Sequence, residues 1–246
     1  MSRSLPLSLL LLSLATPALA GEAMPYAVKL DRGNTASLQR GARNFMNYCS
    51  GCHGMQYLRY NRLGKDLNIP EDVLKKNLMF TTDKVGDQIH SAMPAAQAAD
   101  WFGKQPPDLT LETRARGADW VYNYLLTFYL DPKRPNGVNN LMLPNVSMPH
   151  VLWELQGFQK PAGEKEEKGE GAGEEHKPKY ELAQQGSLSP EEYRKWVADL
   201  VNFMDYAAEP EKAERVTIGV RVLLYLVVVL LPLTYLLKRE YWKDVH

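Results

Sequence analysis

The sequence predicts a mainly α-helical domain with long loops, followed by a single transmembrane helix near the C-terminus. Apolar residues recur at helical spacing in several segments, no segment of any length shows the alternation of a half-buried strand, and one long apolar run lies near the C-terminus. The chain has 246 residues and is 45% hydrophobic, which is enough to bury a core. Its 29 Lys and Arg balance 29 Asp and Glu, which argues against a nucleic-acid-binding protein.

The N-terminus has the pattern of a secretory signal peptide over residues 1–20. Arg3 supplies a short basic region, Leu5–Leu14 is an apolar run too short to span a membrane, and Ala18–Ala20 is a small-x-small cleavage pattern. The mature chain is therefore expected to begin at Gly21, outside the cytoplasm. A bacterial source is the simplest explanation of this signal type.

Four segments predict helices or helix starts in the body of the chain. Apolar or small residues recur every three to four positions over 35–49, and the sequence of 69–72 begins a helix with proline in its first turn. A further helix is expected over 118–130, where aromatic and aliphatic residues share one face. Ser189–Glu192 reads as a capping box, and the helix it begins ends near Pro210.

The body, 21–210, contains one strongly charged segment at 159–179. It holds six Glu and five Lys and no large apolar residue, so it cannot bury enough surface to order itself. We expect a solvated, flexible insertion, with a charged docking surface as the alternative.

The apolar run near the C-terminus spans residues 216–237. Its 22 residues match the ~20 that a helix needs to cross a bilayer. Arg221 can snorkel to the headgroups from near the N-terminal end, and Pro232 is tolerable where a neighbouring helix accommodates a kink. Because the signal peptide exports the body, the short tail 238–246 is expected in the cytoplasm.

The chain's two cysteines stand together in YCSGCHG, residues 48–54. A disulfide, a redox dithiol and half of a zinc site all use such a pair, but a structural zinc site needs about four ligands and no second pair exists. His53 decides the choice, because C-x-x-C-H is the attachment sequence of c-type haem. Cys49 and Cys52 can form thioethers on one side of a turning backbone, and His53 can then bind the iron.

The sixth iron ligand is less clear from the residues. A methionine thioether would raise the potential and close the iron to substrate, leaving electron transfer as the function. Met93 and Met148 each precede a proline that favours extended loop geometry, and Met148 lies in a Pro- and Asn-rich loop downstream of a helix. Met148 is favoured, and the alternatives are Met93, Met142, His90 and His150.

Beyond these residues, the chain resembles the cytochrome c1 family, the haem-bearing subunit of the quinol–cytochrome c oxidoreductase (cytochrome bc1) complex. The matching segments occur in the family's order and cover most of the mature chain; they are YCSGCHGMQYLRYNRLG (48–64), WFGKQPPDLTLETRARG (101–117), VSMPH (146–150) and FMDYAAEPEKAER (203–215).

The resemblance implies a c-type cytochrome haem domain with one covalent haem c. Cys49 and Cys52 would carry the thioethers, His53 and Met148 would be the axial ligands, and Arg116 would lie near a haem propionate. A surface arginine is the alternative for Arg116.

The resemblance also implies how the rest of the chain contributes. The haem pocket would be lined by Tyr57, Tyr60 and the prolines of PPDL. The protein would not be an enzyme by itself: it would accept an electron from the Rieske iron–sulfur protein and pass it to a cytochrome c.

The implied setting is a dimeric membrane complex with cytochrome b in the bacterial inner membrane, with the haem domain in the periplasm. The alternatives are an independent membrane-anchored c-type carrier and a catalytic haem protein or the haem subunit of another redox enzyme.

Overall fold

The computed structural model describes residues 24–162 and 180–243. The signal-peptide prediction for 1–20, the proposed cleavage site before Gly21 and most of the charged segment lie outside the described residues. Helices dominate the described part, as predicted. They are α1 (Thr35–Tyr48), α2 (Tyr60–Asp66), α3 (Glu71–Leu78), α4 (Ala95–Phe102), α5 (Glu112–Arg116), α6 (Ala118–Leu126), α7 (Trp153–Gln156), α8 (Pro190–Ala208), α9 (Lys212–Tyr225) and α10 (Leu231–Tyr241).

Helices α1 and α8 cross at the centre of the core. Gly41 makes the close approach possible, because a Cβ at this position would lie 2.1 Å from the carbonyl oxygen of Asp199. Next to the crossing, the rings of Phe45 and Phe203 pack with centroids 6.0 Å apart. Both helices have side-chain caps: the Asn34 side chain accepts from the Ser37 N–H, and Ser189 and Glu192 form the predicted capping box.

Short strands, which the sequence did not predict, pair in the described part of the chain as three two-stranded antiparallel sheets. They are β1 (Met55–Arg59) with β2 (Gln88–Ile89), β3 (Phe128–Leu130) with β4 (Val138–Asn140), and β5 (Gly157–Pro161) with β6 (Tyr180–Gln185). The longest strands, β1, β5 and β6, have five or six residues, but buried and exposed positions do not alternate strictly along any of them, so the sequence carries no strand pattern there.

The helix predicted over 118–130 is wrong at its C-terminal end. Helix α6 stops at Leu126, and the next residues enter β3 instead. Side chains from other segments satisfy the backbone at this point: the Gln156 and Gln159 amides both donate to the Leu126 carbonyl at 2.9 Å. Because these donors come from residues about 30 positions away, the helix end could not be predicted locally.

The hairpin of β5 and β6 corrects one boundary of the charged segment 159–179. Residues 159–161 belong to β5, and Gln159 is buried, with its amide bound to the Leu126 and Phe128 carbonyls. Residues 163–179 lie outside the described residues.

One helix in the described residues, Glu214–Tyr241, is long and apolar enough to cross a membrane. It contains the predicted span 216–237. The backbone hydrogen-bond pattern of this helix changes to that of a π-helical turn at Leu226–Leu230, just before Pro232. Proline has no N–H and its ring needs space on the preceding turn, so a local wide turn accommodates it without ending the helix.

The turn between α8 and the membrane helix is tied to the domain by charged groups. The Glu209 carboxylate pairs with Arg215 and lies 4.0 Å from Arg114, while the Glu209 carbonyl accepts from Arg32 at 2.8 Å. These contacts are screened by solvent in part, because the Glu209 side chain is 16% exposed but the Arg215 and Arg114 side chains are 63% and 64% exposed. They connect the membrane helix to α5 and to the N-terminal segment.

Candidate haem site

The C-x-x-C-H motif lies where α1 ends. Cys49 caps α1, and its N–H still donates to the Phe45 carbonyl at 2.8 Å. The next residues form a tight turn, in which the N–H groups of Cys52 and His53 donate to the Cys49 carbonyl at 3.0 and 2.8 Å. This turn brings the two thiols and the imidazole to the wall of one cavity.

The His53 ring is oriented by a loop carbonyl. Its Nδ1 lies 2.7 Å from the carbonyl oxygen of Pro107 in the PPDL segment. Since a carbonyl oxygen can only accept, Nδ1 carries the proton and Nε2 keeps a free lone pair, which is the form that binds a metal. Burial lowers the pKa of His53, which also favours the neutral ring.

Both cysteines lie within the described residues, and they are not joined in a disulfide. Burial raises the pKa of the Cys49 thiol to about 12, and burial also raises that of Cys52. A redox dithiol works through a thiol of lowered pKa, so these environments do not favour that alternative. Within the described ranges, no three His, Cys, Asp or Glu side chains come together as a group that could hold a metal ion.

The cavity beside the motif is open on one side, and the empty space in it and at its mouth amounts to about 1290 Å³. Residues from five helices and two loops line it, and most of them are apolar. The walls include Pro106, Pro107, Leu109, Trp120, Val121, Tyr124, Leu125, Val146, Met148, Val151, Leu152, Leu200 and Met204. Such a space suits a large, mainly apolar ligand.

Among the five sixth-ligand candidates, all of which are described residues, Met148 is the one that lines this cavity. Met93 and His90 line a separate, polar cleft. His150 is buried, and its ring stacks on Phe128 with centroids 5.0 Å apart. Met142 lines neither the cavity nor the polar cleft.

The Met148 sulfur is held by a residue that the sequence alone does not connect with the site. The Tyr124 hydroxyl donates to Sδ of Met148 at 3.3 Å. Burial raises the pKa of the Tyr124 hydroxyl, so it stays a donor at neutral pH. Its place on the apolar face of a predicted helix was visible in the sequence, but its contact with a loop 24 residues away was not.

Arg116 lines the cavity at the end of α5. Its Nε lies 2.5 Å from Oε1 of Glu112, and its guanidinium lies 4.4 Å from the centre of the Trp120 ring. The side chain therefore stands beside the cavity with part of its charge already paired.

The pocket walls differ in part from the expectation. Pro106 and Pro107 line the cavity, as expected. The two tyrosines do not: Tyr60 is buried in the core and Tyr57 is 66% exposed. They were assigned by their closeness to the motif in sequence, but β1 and α2 carry them away from it.

The donor set of this cavity fits a c-type haem: two unpaired thiols, an imidazole with a free Nε2 and a thioether. The sequence matches the family described as "Cytochrome C1 family" over residues 26–160 and 184–245. The chain belongs to the cytochrome c1 family. The interruption of the match at 161–183 nearly coincides with the charged segment. Membership implies a c-type haem and the electron-carrier role of the haem subunit of a cytochrome bc1 complex.

Three relatives illustrate the range of similar proteins. The chain is 52% identical to "Cytochrome c1" of Allochromatium vinosum, over 99% of this chain and 100% of that protein. It is 46% identical to "Ammonia monooxygenase gamma subunit" of Nitrosomonas europaea, over 88% and 87%. It is 25% identical to "Cytochrome b/c1" of Bradyrhizobium diazoefficiens, over 89% of this chain and 34% of that protein. Like cytochrome c1 proteins, this chain is membrane-anchored, by the helix Glu214–Tyr241.

Proposed function

We propose that this chain relays electrons in a quinol–cytochrome c oxidoreductase, from the Rieske iron–sulfur protein to a cytochrome c. The observation that carries the proposal is the convergence on one apolar cavity of residues 49–53 and Met148, which are far apart in sequence. A thioether and an imidazole in one cavity are the axial pair of electron-transferring c-type haems.

The proposed cofactor is one covalent haem c, which supplies a one-electron iron couple. Cys49 and Cys52 form the thioether links, and His53 binds the iron through Nε2 while the Pro107 carbonyl holds Nδ1. Met148 is the second axial ligand. With both axial positions taken by protein, no position is left for a substrate, so the chain is not an enzyme by itself.

Arg116 is proposed to pair with a haem propionate. It lies at the cavity wall with Glu112 as its present partner, and a guanidinium can serve two carboxylates because it has five N–H donors. The stacking on Trp120 holds the guanidinium plane in place during such a contact.

The proposed location is a bacterial inner membrane, with the haem domain in the periplasm and the tail 238–246 in the cytoplasm. The signal pattern of 1–20 and the requirement that c-type haem be attached outside the cytoplasm support this orientation. The mature protein should have the mass of a chain that begins at Gly21 plus one covalent haem, and protease added to sealed, right-side-out spheroplasts should cut the domain. An intact domain after that treatment would contradict the orientation.

The proposed complex is dimeric and contains cytochrome b and the Rieske protein. The relative named "Cytochrome b/c1" supports the cytochrome b partner. Extraction in mild detergent should therefore yield this chain together with both proteins.

A second candidate has an observation of its own. A protein named as a subunit of ammonia monooxygenase is 46% identical over 88% of this chain, which favours a haem subunit of another redox enzyme. The same extraction separates the two candidates, because the second predicts co-purification with oxygenase subunits, without cytochrome b. Elution of the chain alone would favour an independent membrane-anchored carrier.

Met148→Ala tests the site itself. We expect it to abolish the low-spin, sulfur-ligated spectrum of the ferric protein and to lower the midpoint potential, because a soft ligand that favours ferrous iron is lost. Met142→Ala removes a methionine of the same loop that does not line the cavity, and it should leave both properties unchanged. Identical spectra for Met148→Ala and the wild type would refute the ligand assignment.

The attachment is tested by the double variant Cys49→Ala, Cys52→Ala. Haem should no longer migrate with the chain in a denaturing gel, whereas wild-type protein should keep it. Haem that stays with the double variant under these conditions would exclude thioether attachment at this motif.

A further inference from the structure

The Tyr124 hydroxyl points at the sulfur of the proposed distal ligand. It donates to Sδ of Met148 at 3.3 Å, within the range for a hydrogen bond to sulfur. Tyr124 and Met148 both line the cavity, so the contact lies at its wall and not in the bulk of the core. A thioether sulfur has two lone pairs, of which iron would use one and this hydroxyl the other.

The phenol ring packs against two aromatic neighbours, and the backbone of Tyr124 has a polar partner. Trp120 stacks on it with centroids 5.2 Å apart and an interplanar angle of 11°, and Phe128 meets it edge-on, also at 5.2 Å. The Tyr124 carbonyl accepts from the Asn140 amide at 2.7 Å, which ties this turn of α6 to β4. Arg116, in α5, contacts the same Trp120 ring, with its guanidinium carbon 4.4 Å from the ring centre.

Neighbouring contacts also hold α6 in place. The buried Asn123 exchanges hydrogen bonds with the backbone of Tyr26, with its side-chain oxygen accepting at 3.0 Å and its amide donating at 2.6 Å. The N-terminal segment is thus fastened along the helix that carries Tyr124. The hydroxyl therefore has little freedom to turn away from the sulfur.

We propose that Tyr124 is the positioning residue for the distal ligand: its hydroxyl selects which lone pair of Met148 faces the iron and weakens the sulfur as a donor. This inference rests on Met148 being the axial ligand proposed above. Tyr124 acts through Met148 and needs no contact of its own with the iron.

Two consequences follow from the chemistry of the thioether. A hydrogen bond withdraws electron density from sulfur, and ferric iron depends on ligand donation more than ferrous iron does, so the hydrogen bond raises the midpoint potential. It also holds the sulfur in one orientation, so it slows displacement of Met148 by an outside ligand.

The test compares Tyr124→Phe with Tyr122→Phe in the full-length haem-loaded protein. Phenylalanine keeps the ring packing and removes only the hydroxyl. Tyr122 is a matched control, because it lies in the same helix and its hydroxyl bonds a backbone carbonyl, that of Arg194, at 3.3 Å. The readouts are the midpoint potential, the sulfur-to-iron charge-transfer band of the ferric protein, and the rate at which added imidazole displaces the ligand.

We expect Tyr124→Phe to lower the potential, shift the band and speed imidazole exchange by up to roughly tenfold, the change that one hydrogen bond supports. Tyr122→Phe should leave all three unchanged. Fluorotyrosine placed at position 124 is a stronger donor and should move the potential in the opposite direction.

Three results would overturn the inference, and they have different meanings. If Tyr124→Phe matches the wild type while Met148→Ala loses the band, Met148 is the ligand and Tyr124 does not position it. If Met148→Ala keeps the band, the ligand assignment fails and the role of Tyr124 fails with it. Equal shifts in Tyr124→Phe and Tyr122→Phe would also reject the inference, because they would show a general loosening of α6.

Discussion

The proximal wall of the cavity, residues 49–53, is built within one stretch of chain, whereas the distal wall around Met148 is assembled from several. The backbone hydrogen bonds of the proximal turn run between neighbours, from Cys52 and His53 back to Cys49, while the His53 ring contacts the more distant Pro107 carbonyl. On the distal wall, the Met148 sulfur is bound by Tyr124, 24 residues earlier, and its carbonyl accepts from Asn136 at 3.3 Å.

The two walls are therefore held in place by different interactions. The proximal turn is the continuation of α1, so its position depends on how α1 packs in the core. The distal loop contains no long element of its own, so its position depends on polar contacts and ring stacking with α6, β3 and β4. We therefore expect core substitutions to damage the proximal wall, and changes of pH or of single polar groups to damage the distal one.

Gly41→Val should have the largest effect. Its side chain would meet the Asp199 carbonyl and Phe203 at the crossing of α1 and α8, where the backbone cannot retreat without parting the helices. We expect a loss of about 3 kcal/mol or more in the free energy of unfolding, with lowered haem incorporation. Denaturant titration of the haem domain and the haem-to-protein ratio measure the two effects.

The control for that substitution is Gly51→Ala, within the motif itself. No atom lies within 4 Å of a Cβ added at Gly51, so stability and haem content should stay near wild type. If Gly41→Val were equally harmless, the proximal wall would not depend on this crossing.

Acid should loosen the distal wall through His150. Burial lowers the pKa of His150 from 6.5 to about 4, because the ring lies between Phe128 and Phe158. As pH falls from 6.5, the unfolded chain takes up the proton before the folded chain does, so the free energy of unfolding falls until pH is near 4. The total loss is about 3 kcal/mol.

The measurement is the free energy of unfolding across that pH range in the wild type and in His150→Phe, which keeps the ring stack. The variant should lose most of this slope. His90→Gln changes an exposed histidine and should keep it. A wild-type slope that persists in His150→Phe would assign the acid sensitivity to other groups.

Asn140→Ala should weaken the distal wall by a smaller amount. The buried Asn140 side chain donates to the Tyr124 carbonyl and accepts from the N–H of Met142 at 2.9 Å, so it connects α6 to the distal loop. Its removal leaves buried groups unpaired, at a cost of about 2 kcal/mol. Thermal unfolding gives the loss, and ligand displacement by imidazole should become faster, while Gly51→Ala changes neither.

The same contrast explains how much the sequence could predict. The end of α1, the capping box of α8 and the membrane helix depend on residues within a few positions of one another, and all three were predicted. The C-x-x-C-H motif is also local, and it pointed to haem without any knowledge of the fold.

The features that were missed depend on distant residues. Helix α6 ends at Leu126, where the side-chain amides of Gln156 and Gln159 bind its last carbonyl. No residue near Leu126 in the sequence predicts these contacts. The role of Tyr124 required the distal loop to return to α6. Tyr57 was misplaced for the same reason, because a residue close to the motif in sequence was carried outward by β1. The proline after Met148 and its loop already favoured it as the sixth ligand, and the resemblance to a family supported that prediction.

Asn34→Ala should have the smallest effect, and that effect should stay at the first turn of α1, away from the proximal wall. The Asn34 side chain accepts from the Ser37 N–H at 3.0 Å, so its removal leaves one N–H at the start of α1 without this partner. The expected loss is about 1 kcal/mol in the free energy of unfolding. Because α1 is held along its length by α8, the loss should fray the first turn and leave the last turn, which carries Cys49, in place. The midpoint potential should therefore match the wild type, while amide exchange at Ser37 should accelerate. A shifted potential in Asn34→Ala would mean that α1 moves as one body and that the proximal wall depends on its far end as well as on the crossing at Gly41.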